Sequence, residues 1–321
     1  MTMASTTAGD QTSRNEMDAD SIAFMAMQPP APSIPPTPAM AREMQRRSRL
    51  ANQPDLPQVA SIREYAVPGP AGPIPLRVYR GAGTSITEAL PVQVYCHGGG
   101  WVVGDLDSHD WICRMVANAA TCAVVSVDYR LAPEHRFPAA FDDALAATTW
   151  VAANAALLRI DPARISVGGD SAGGNLVAAT ALALRGHREI KLCAQILIYP
   201  ALDLTAAYYG RFPAGVFLTD ERMRTYITEY APNADLHKDW RASPLFAPTL
   251  KGLPPALVIL AGFDPLHDEG AAYAARLKDE GVPVTITRYP GQMHGFMSRA
   301  KLSPKAYDAV ADVAAVLKAN H

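Results

Sequence analysis

With 321 residues, 49% of them hydrophobic and 19% charged, the chain holds enough apolar surface for one large core or two ordinary ones. Its formal charge of −2 supplies neither a basic footprint for nucleic acid nor a polybasic patch for a membrane. The four cysteines, Cys96, Cys113, Cys122 and Cys193, show no CxxC pair and no metal-ligand spacing, which points to buried thiols.

Residues 1–20 are small and polar and read as a disordered leader. They lack a basic start and an apolar run, so the expected compartment is the cytoplasm. No apolar stretch approaches the roughly 18 residues of a membrane span. Residues 21–55 are different: twelve of the 27 prolines fall before residue 76, a density that a packed core would not tolerate. This stretch reads as an appendage with a helix near Pro38–Leu50.

From residue 61 the pattern becomes regular. Strand-like runs appear at Ser61–Val67, Ile74–Arg80, Val92–Cys96, Ala123–Asp128, Ile165–Val167, Ala194–Tyr199, Ala256–Ala261 and Val284–Tyr289. The later runs alternate with helical segments at Asp110–Ala120, Ala139–Leu158, Ala172–Arg185, Leu266–Glu280 and Pro304–Ala319. Apolar runs such as 194–199 suit strands buried on both faces, so the pattern predicts a mostly parallel sheet covered by helices. Residues 203–250 break the alternation and read as an insertion with a helix near Asp220–Tyr230.

Three stretches carry chemistry. Gly169-Asp170-Ser171-Ala172-Gly173 matches G-x-S-x-G directly after a strand and directly before a helix, the context in which a sharp turn exposes a serine hydroxyl. A serine needs a base, and on such a fold its partners follow in the order acid, then histidine. His294 lies in the loop just after the last strand, with Gly291 and Gly295 on either side, which makes it the expected base. Asp264 follows the strand 256–261 and precedes Pro265, which makes it the expected acid. Asp268 falls in the next helix's first turn, where a carboxylate offsets the macrodipole. His97-Gly98-Gly99-Gly100, after the third strand, offers bare backbone N–H groups to an oxyanion, and the N–H of Ala172 offers another. His97 itself is expected to hold the loop, and the charges of Asp128–Arg136 to pin a neighbouring one. Pro133 and Pro138 are the positions at which a cis peptide bond is weighed.

On these motifs, together with Trp101, the run Asp128-Tyr129-Arg130-Leu131-Ala132-Pro133-Glu134-His135, Asp264-Pro265-Leu266 and His294-Gly295-Phe296, the chain resembles carboxylesterases of the hormone-sensitive lipase family. The form of its serine motif is similar to the subgroup with aspartate before the nucleophile. The resemblance implies an eight-stranded α/β-hydrolase domain over 56–321, with a small helical cap from 21–55 and an insertion at about 203–240. It implies a triad of Ser171, Asp264 and His294, and an oxyanion hole of the Gly99, Gly100 and Ala172 N–H groups. Trp101, Tyr199, Leu218, Leu266 and Phe296 are the candidates for the substrate pocket. The implied substrate is a small ester of a short- to medium-chain acid, with no metal or organic cofactor, no nucleic-acid or membrane partner, and a monomeric or homodimeric state. An amidase or peptidase on the same triad, or a ligand-binding receptor on the same fold, are the alternatives.

Overall fold

Pro70 and Ala71 turn the chain between Gly69 and Gly72, so β1 (Ser61–Gly69) and β2 (Gly72–Arg80) pair antiparallel as a hairpin. A loop leads to β3 (Leu90–Cys96); each later strand follows a helix and joins parallel to it or to its parallel neighbours: β4 (Ala123–Val127), β5 (Ile160–Asp170), β6 (Leu192–Ile198), β7 (Ala256–Phe263) and β8 (Val284–Met293). The spatial order is β1-β2-β4-β3-β5-β6-β7-β8, with β2 antiparallel to β4. This computed structural model describes residues 16–28, 36–212 and 216–321.

The helices are α1 (Ala19–Ala26), α2 (Pro38–Ala51), α3 (Asp110–Ala120), α4 (Ala139–Ala153), α5 (Ala155–Leu158), α6 (Ala172–Leu184), α7 (Asp220–Tyr230), α8 (His267–Asp279) and α9 (Lys305–Asn320). Among the described residues none is long and apolar enough to cross a membrane. Consecutive strand residues serve opposite cores, as the period of two requires. Val125, Leu197 and Val258 face the layer that includes α4, α6 and α8, whereas Val124, Ile196, Ile198 and Leu257 face α3 and α9. Ile196 and Leu197 are both fully buried, so truncating either to alanine would cost about 2–5 kcal/mol. Cys96, Cys113 and Cys122 are buried free thiols, and Cys193 is partly exposed.

Two excursions stand off this sheet. Residues 199–255 link β6 to β7 and carry α7, whose start is capped by Thr219 accepting from the Arg222 N–H. At the front of the chain, α2 starts at Pro38, with Thr37 accepting from the Met40 N–H. The expected leader boundary at residue 20 needs correcting. Asp18 donates its N–H to the Gly291 carbonyl at 2.8 Å, and Gln292 Nε2 donates to Asp18 Oδ2 at 2.7 Å. Asp18 therefore docks on the end of β8, and α1 begins at the next residue; residues 1–15 lie outside the described residues, as do 29–35.

Candidate active site

Parallel strands end together, so the loops after β3, β5, β7 and β8 meet at one sheet edge. After β5 the chain turns into α6 within one residue, which leaves Ser171 at φ 56° and ψ −120°. A non-glycine residue held there costs of order 1–3 kcal/mol, and the surroundings must enforce it. Three backbone bonds do so. The Ser171 N–H donates to Ile198 O at 2.9 Å, and its carbonyl accepts from Asn175 and Ala201 at 3.1 and 3.2 Å. Close approach also explains Gly173: a Cβ there would sit 1.9 Å from the Cys96 carbonyl oxygen. Only glycine lets α6 descend onto the end of β3.

Asp264 follows β7 and is buried. Its Oδ1 accepts the Leu266 N–H at 2.8 Å, which leaves Oδ2 aimed at the loop after β8. There His294 Nδ1 lies 2.7 Å from Asp264 Oδ2, and His294 Nε2 lies 2.9 Å from Ser171 Oγ. With the proton assigned to Nδ1, the imidazole donates to the carboxylate and turns its free lone pair to the serine hydroxyl. Asp268 is elsewhere, paired with His267 at 2.7 Å on the helix start.

The glycine loop after β3 is fastened from below. Gly98 donates its N–H to Asp170 Oδ1 at 2.8 Å, and the Tyr95 hydroxyl donates to the same oxygen at 2.7 Å. Among the described residues, Gly99, Gly100 and Ala172 give their N–H groups to no backbone carbonyl, so these three donors are unclaimed by the fold. Burial alone would raise the Asp170 carboxyl, but His109, Arg49 and the Tyr95 hydroxyl outweigh it and hold it well below the usual carboxylate range. His97 stacks on Tyr129 with ring centroids 4.3 Å apart and on His109 at 5.2 Å. Burial, reinforced by His109, pushes its imidazole down to about 3. It is a neutral structural ring. The run after β4 is structural too: Arg130 forks onto Asp143, Glu134 pairs with Arg42 of α2, and Ala132-Pro133 and Phe137-Pro138 are both cis.

The pocket candidates divide. Tyr199 meets the His294 ring edge-on at 4.8 Å, and Leu266 supports Asp264. Leu218, in the β6–β7 excursion, is buried in the main core. Trp101 and Phe296, expected to touch substrate, pack away into the two cores instead. Trp101 lies flat on Tyr230 at 4.5 Å, and Phe296 packs on Tyr289 at 4.9 Å. Their sequence neighbours reach the site, but their rings serve the supports. A residue that sequence reasoning missed lies above the glycine loop: the Tyr226 ring occupies the space where a Cβ on Gly100 would fall, 2.4 Å away. The signal was available, since Met223, Ile227 and Tyr230 mark one buried stripe of α7 and Tyr226 lies on it.

Known proteins share this fold. Residues 93–298 match the model of a family described by the alpha/beta hydrolase fold. The chain is 41% identical over 274 residues to the carboxylic ester hydrolase LipN of Mycobacterium tuberculosis, covering 82% of this chain and 72% of that one. An ethyl acetate hydrolase of Pseudomonas putida is 38% identical over 248 residues, 76% of this chain and 78% of its own. Among solved structures, the hyperthermophilic esterase of the archaeon Pyrobaculum calidifontis superposes with a TM-score of 0.86 at 39% identity, covering 95% of this chain and 99% of that one. Fold, motif order and relatives agree, and the chain belongs to the α/β-hydrolase family, in its hormone-sensitive-lipase-like group.

Proposed function

We propose that this protein hydrolyses carboxylic esters of short- to medium-chain acids through an acyl-enzyme on Ser171. The observation that carries the reading is the hydrogen-bonded line from Asp264 through His294 to Ser171, at 2.7 and 2.9 Å. His294 Nε2 takes the serine proton as Oγ attacks the ester carbonyl, and Asp264 holds the resulting imidazolium in place. The tetrahedral oxyanion is met by the N–H groups of Gly99, Gly100 and Ala172, whose orientation is fixed before the reaction starts. His294 then gives its proton to the leaving alcohol, and water activated by the same imidazole releases the acid.

The preference for shorter acids rests on enclosure. Ser171 and His294 are only 6% and 5% exposed, and Tyr226 closes the side above Gly100. Relatives that bear the names carboxylic ester hydrolase and ethyl acetate hydrolase support the same substrate class. The test is a series of nitrophenyl acetate, butyrate and hexanoate beside a matched anilide, with Ser171→Ala as control. Turnover of the esters that vanishes in the variant, with far slower anilide cleavage, is expected. Equal rates on ester and anilide would favour an amidase, and no turnover by the wild-type protein would remove the reading.

A further inference from the structure

Arg299 places a cation in the interior that the mechanism above does not use. The residue is 6% exposed, and among the described residues no carboxylate pairs with it. Its Nη1 donates to the His294 carbonyl at 2.9 Å. The guanidinium carbon lies 3.8 Å from the Phe217 ring centroid and 4.2 Å from that of Phe24. Burial, with Arg49 adding to it, pushes the group down to about 9, yet a guanidinium stays charged at neutral pH. An isolated buried cation is costly, and two aromatic faces return only part of the lost hydration.

The partners show what the arrangement does. Phe24 comes from α1, at the front of the chain, and Phe217 from the excursion between β6 and β7. These rings touch each other edge-on at 5.5 Å, so both outlying segments close on the same guanidinium. On its other side Arg299 grips the backbone of His294, where Gly295 turns the chain at φ 75°. Without that donor the buried His294 carbonyl has no hydrogen-bond partner among the described residues, a loss that a small rotation of the turn would relieve. Such a rotation would carry Nε2 away from Ser171 Oγ.

We infer that Arg299 is a positioning residue, which transmits the seating of α1 and the Phe217 segment to the imidazole of His294. This rests on the triad reading above, and the assays separate the two. Ester turnover by the wild-type protein, lost in Ser171→Ala, tests the triad alone. Arg299→Met keeps the apolar stem but removes the donors. Its kcat per active site, counted with a phosphonate titrant of the serine, should fall on the order of 10²-fold with KM little changed. Arg299→Lys should recover much of the loss. Phe24→Leu and Phe217→Leu should each lower kcat, and add nothing further in the Arg299→Met background. Should Arg299→Met not fold, Phe217→Leu decides by its kcat per titrated site. Wild-type kcat per titrated site in these variants, with only the melting temperature lowered, would make Arg299 a brace and overturn the inference.

Discussion

His294 meets its partners through different nitrogens, so each of the three side chains fails in its own way but to a similar end. Ser171→Ala removes the nucleophile, His294→Ala the base, and Asp264→Asn the acceptor that orients the ring. Each is expected to lower kcat by about 10³-fold or more while circular dichroism stays native, and the losses should not add. Asp268→Asn should leave kcat near wild type, since its partner is His267. Gly100 is a second residue to test. At φ 59°, alanine there is strained by about 1–2 kcal/mol, and its Cβ meets the Tyr226 ring. Gly100→Ala should therefore lose ester turnover, and Tyr226→Ala should restore part of it in the double variant. Ser171, Asp264 and His294 stood out as candidates because each stands at a strand end, where chain geometry and chemistry point to the same position. Arg299 did not stand out, and the helical stripe that carries Tyr226 gave no sign of its place over Gly100, because both roles depend on contacts between segments distant in sequence.

Among the elements, the strands fall where the apolar runs placed them, but β5 and β8 reach beyond those runs. Ile160 already pairs with Leu90, so β5 begins five residues before the apolar run at Ile165, across a polar stretch. Likewise β8 continues to Met293, paired with Phe263, and thereby carries His294 to the site. Helix α1 left little signal: only Phe24 and Ser21 are buried, while Ile22 is 55% exposed and Met27, just past its end, 57%. Its attachment is polar. Gln292 Nε2 reaches Asp18 and Asp20, and its Oε1 accepts from the Ser303 hydroxyl at 2.9 Å. Gln292→Leu should cost about 1–3 kcal/mol by stranding those partners, read as a lowered midpoint in urea. On α8, burial pushes the Glu269 carboxyl well up, although the Leu202 N–H at 2.6 Å opposes it. A raised carboxyl stabilises the fold below its unfolded value of about 4.3 and loses that contribution as pH rises through the folded value. Glu269→Gln should therefore equal or exceed wild-type stability at pH 8, and a lower melting temperature there would contradict this.

Across the whole molecule, acid acts on rings buried in the neutral state. Burial pushes His97 down to about 3, lowers His109, and takes His321 down to about 4. Their contribution is complete above the unfolded histidine value of about 6.5 and is lost as pH falls toward these folded values. At roughly 1.4 kcal/mol per unit, His97 alone is worth on the order of a few kcal/mol by pH 3. The melting temperature should fall steadily between about pH 6.5 and 4, and His97→Phe, which keeps the stack on Tyr129, should flatten that slope. A variant curve parallel to wild type would place the acid sensitivity elsewhere.

The stack of Trp101 on Tyr230, at 4.5 Å and 4° from parallel, joins the glycine loop to the last residue of α7. It also gives the protein its own optical gauge. The indole is fully buried and its Nε1–H has no partner among the described residues, so its emission should be blue-shifted, with the adjacent phenol feeding it excitation. Any movement that lifts α7 from the loop would admit water to the indole and lengthen the phenol's distance, shifting the emission to the red and dimming it under phenol excitation. With Trp111, Trp150 and Trp240 each replaced by phenylalanine, the remaining tryptophan would follow admission of an ester in a stopped-flow trace without any added dye. An emission maximum already red in the free protein would show that the indole is wet before any ester arrives.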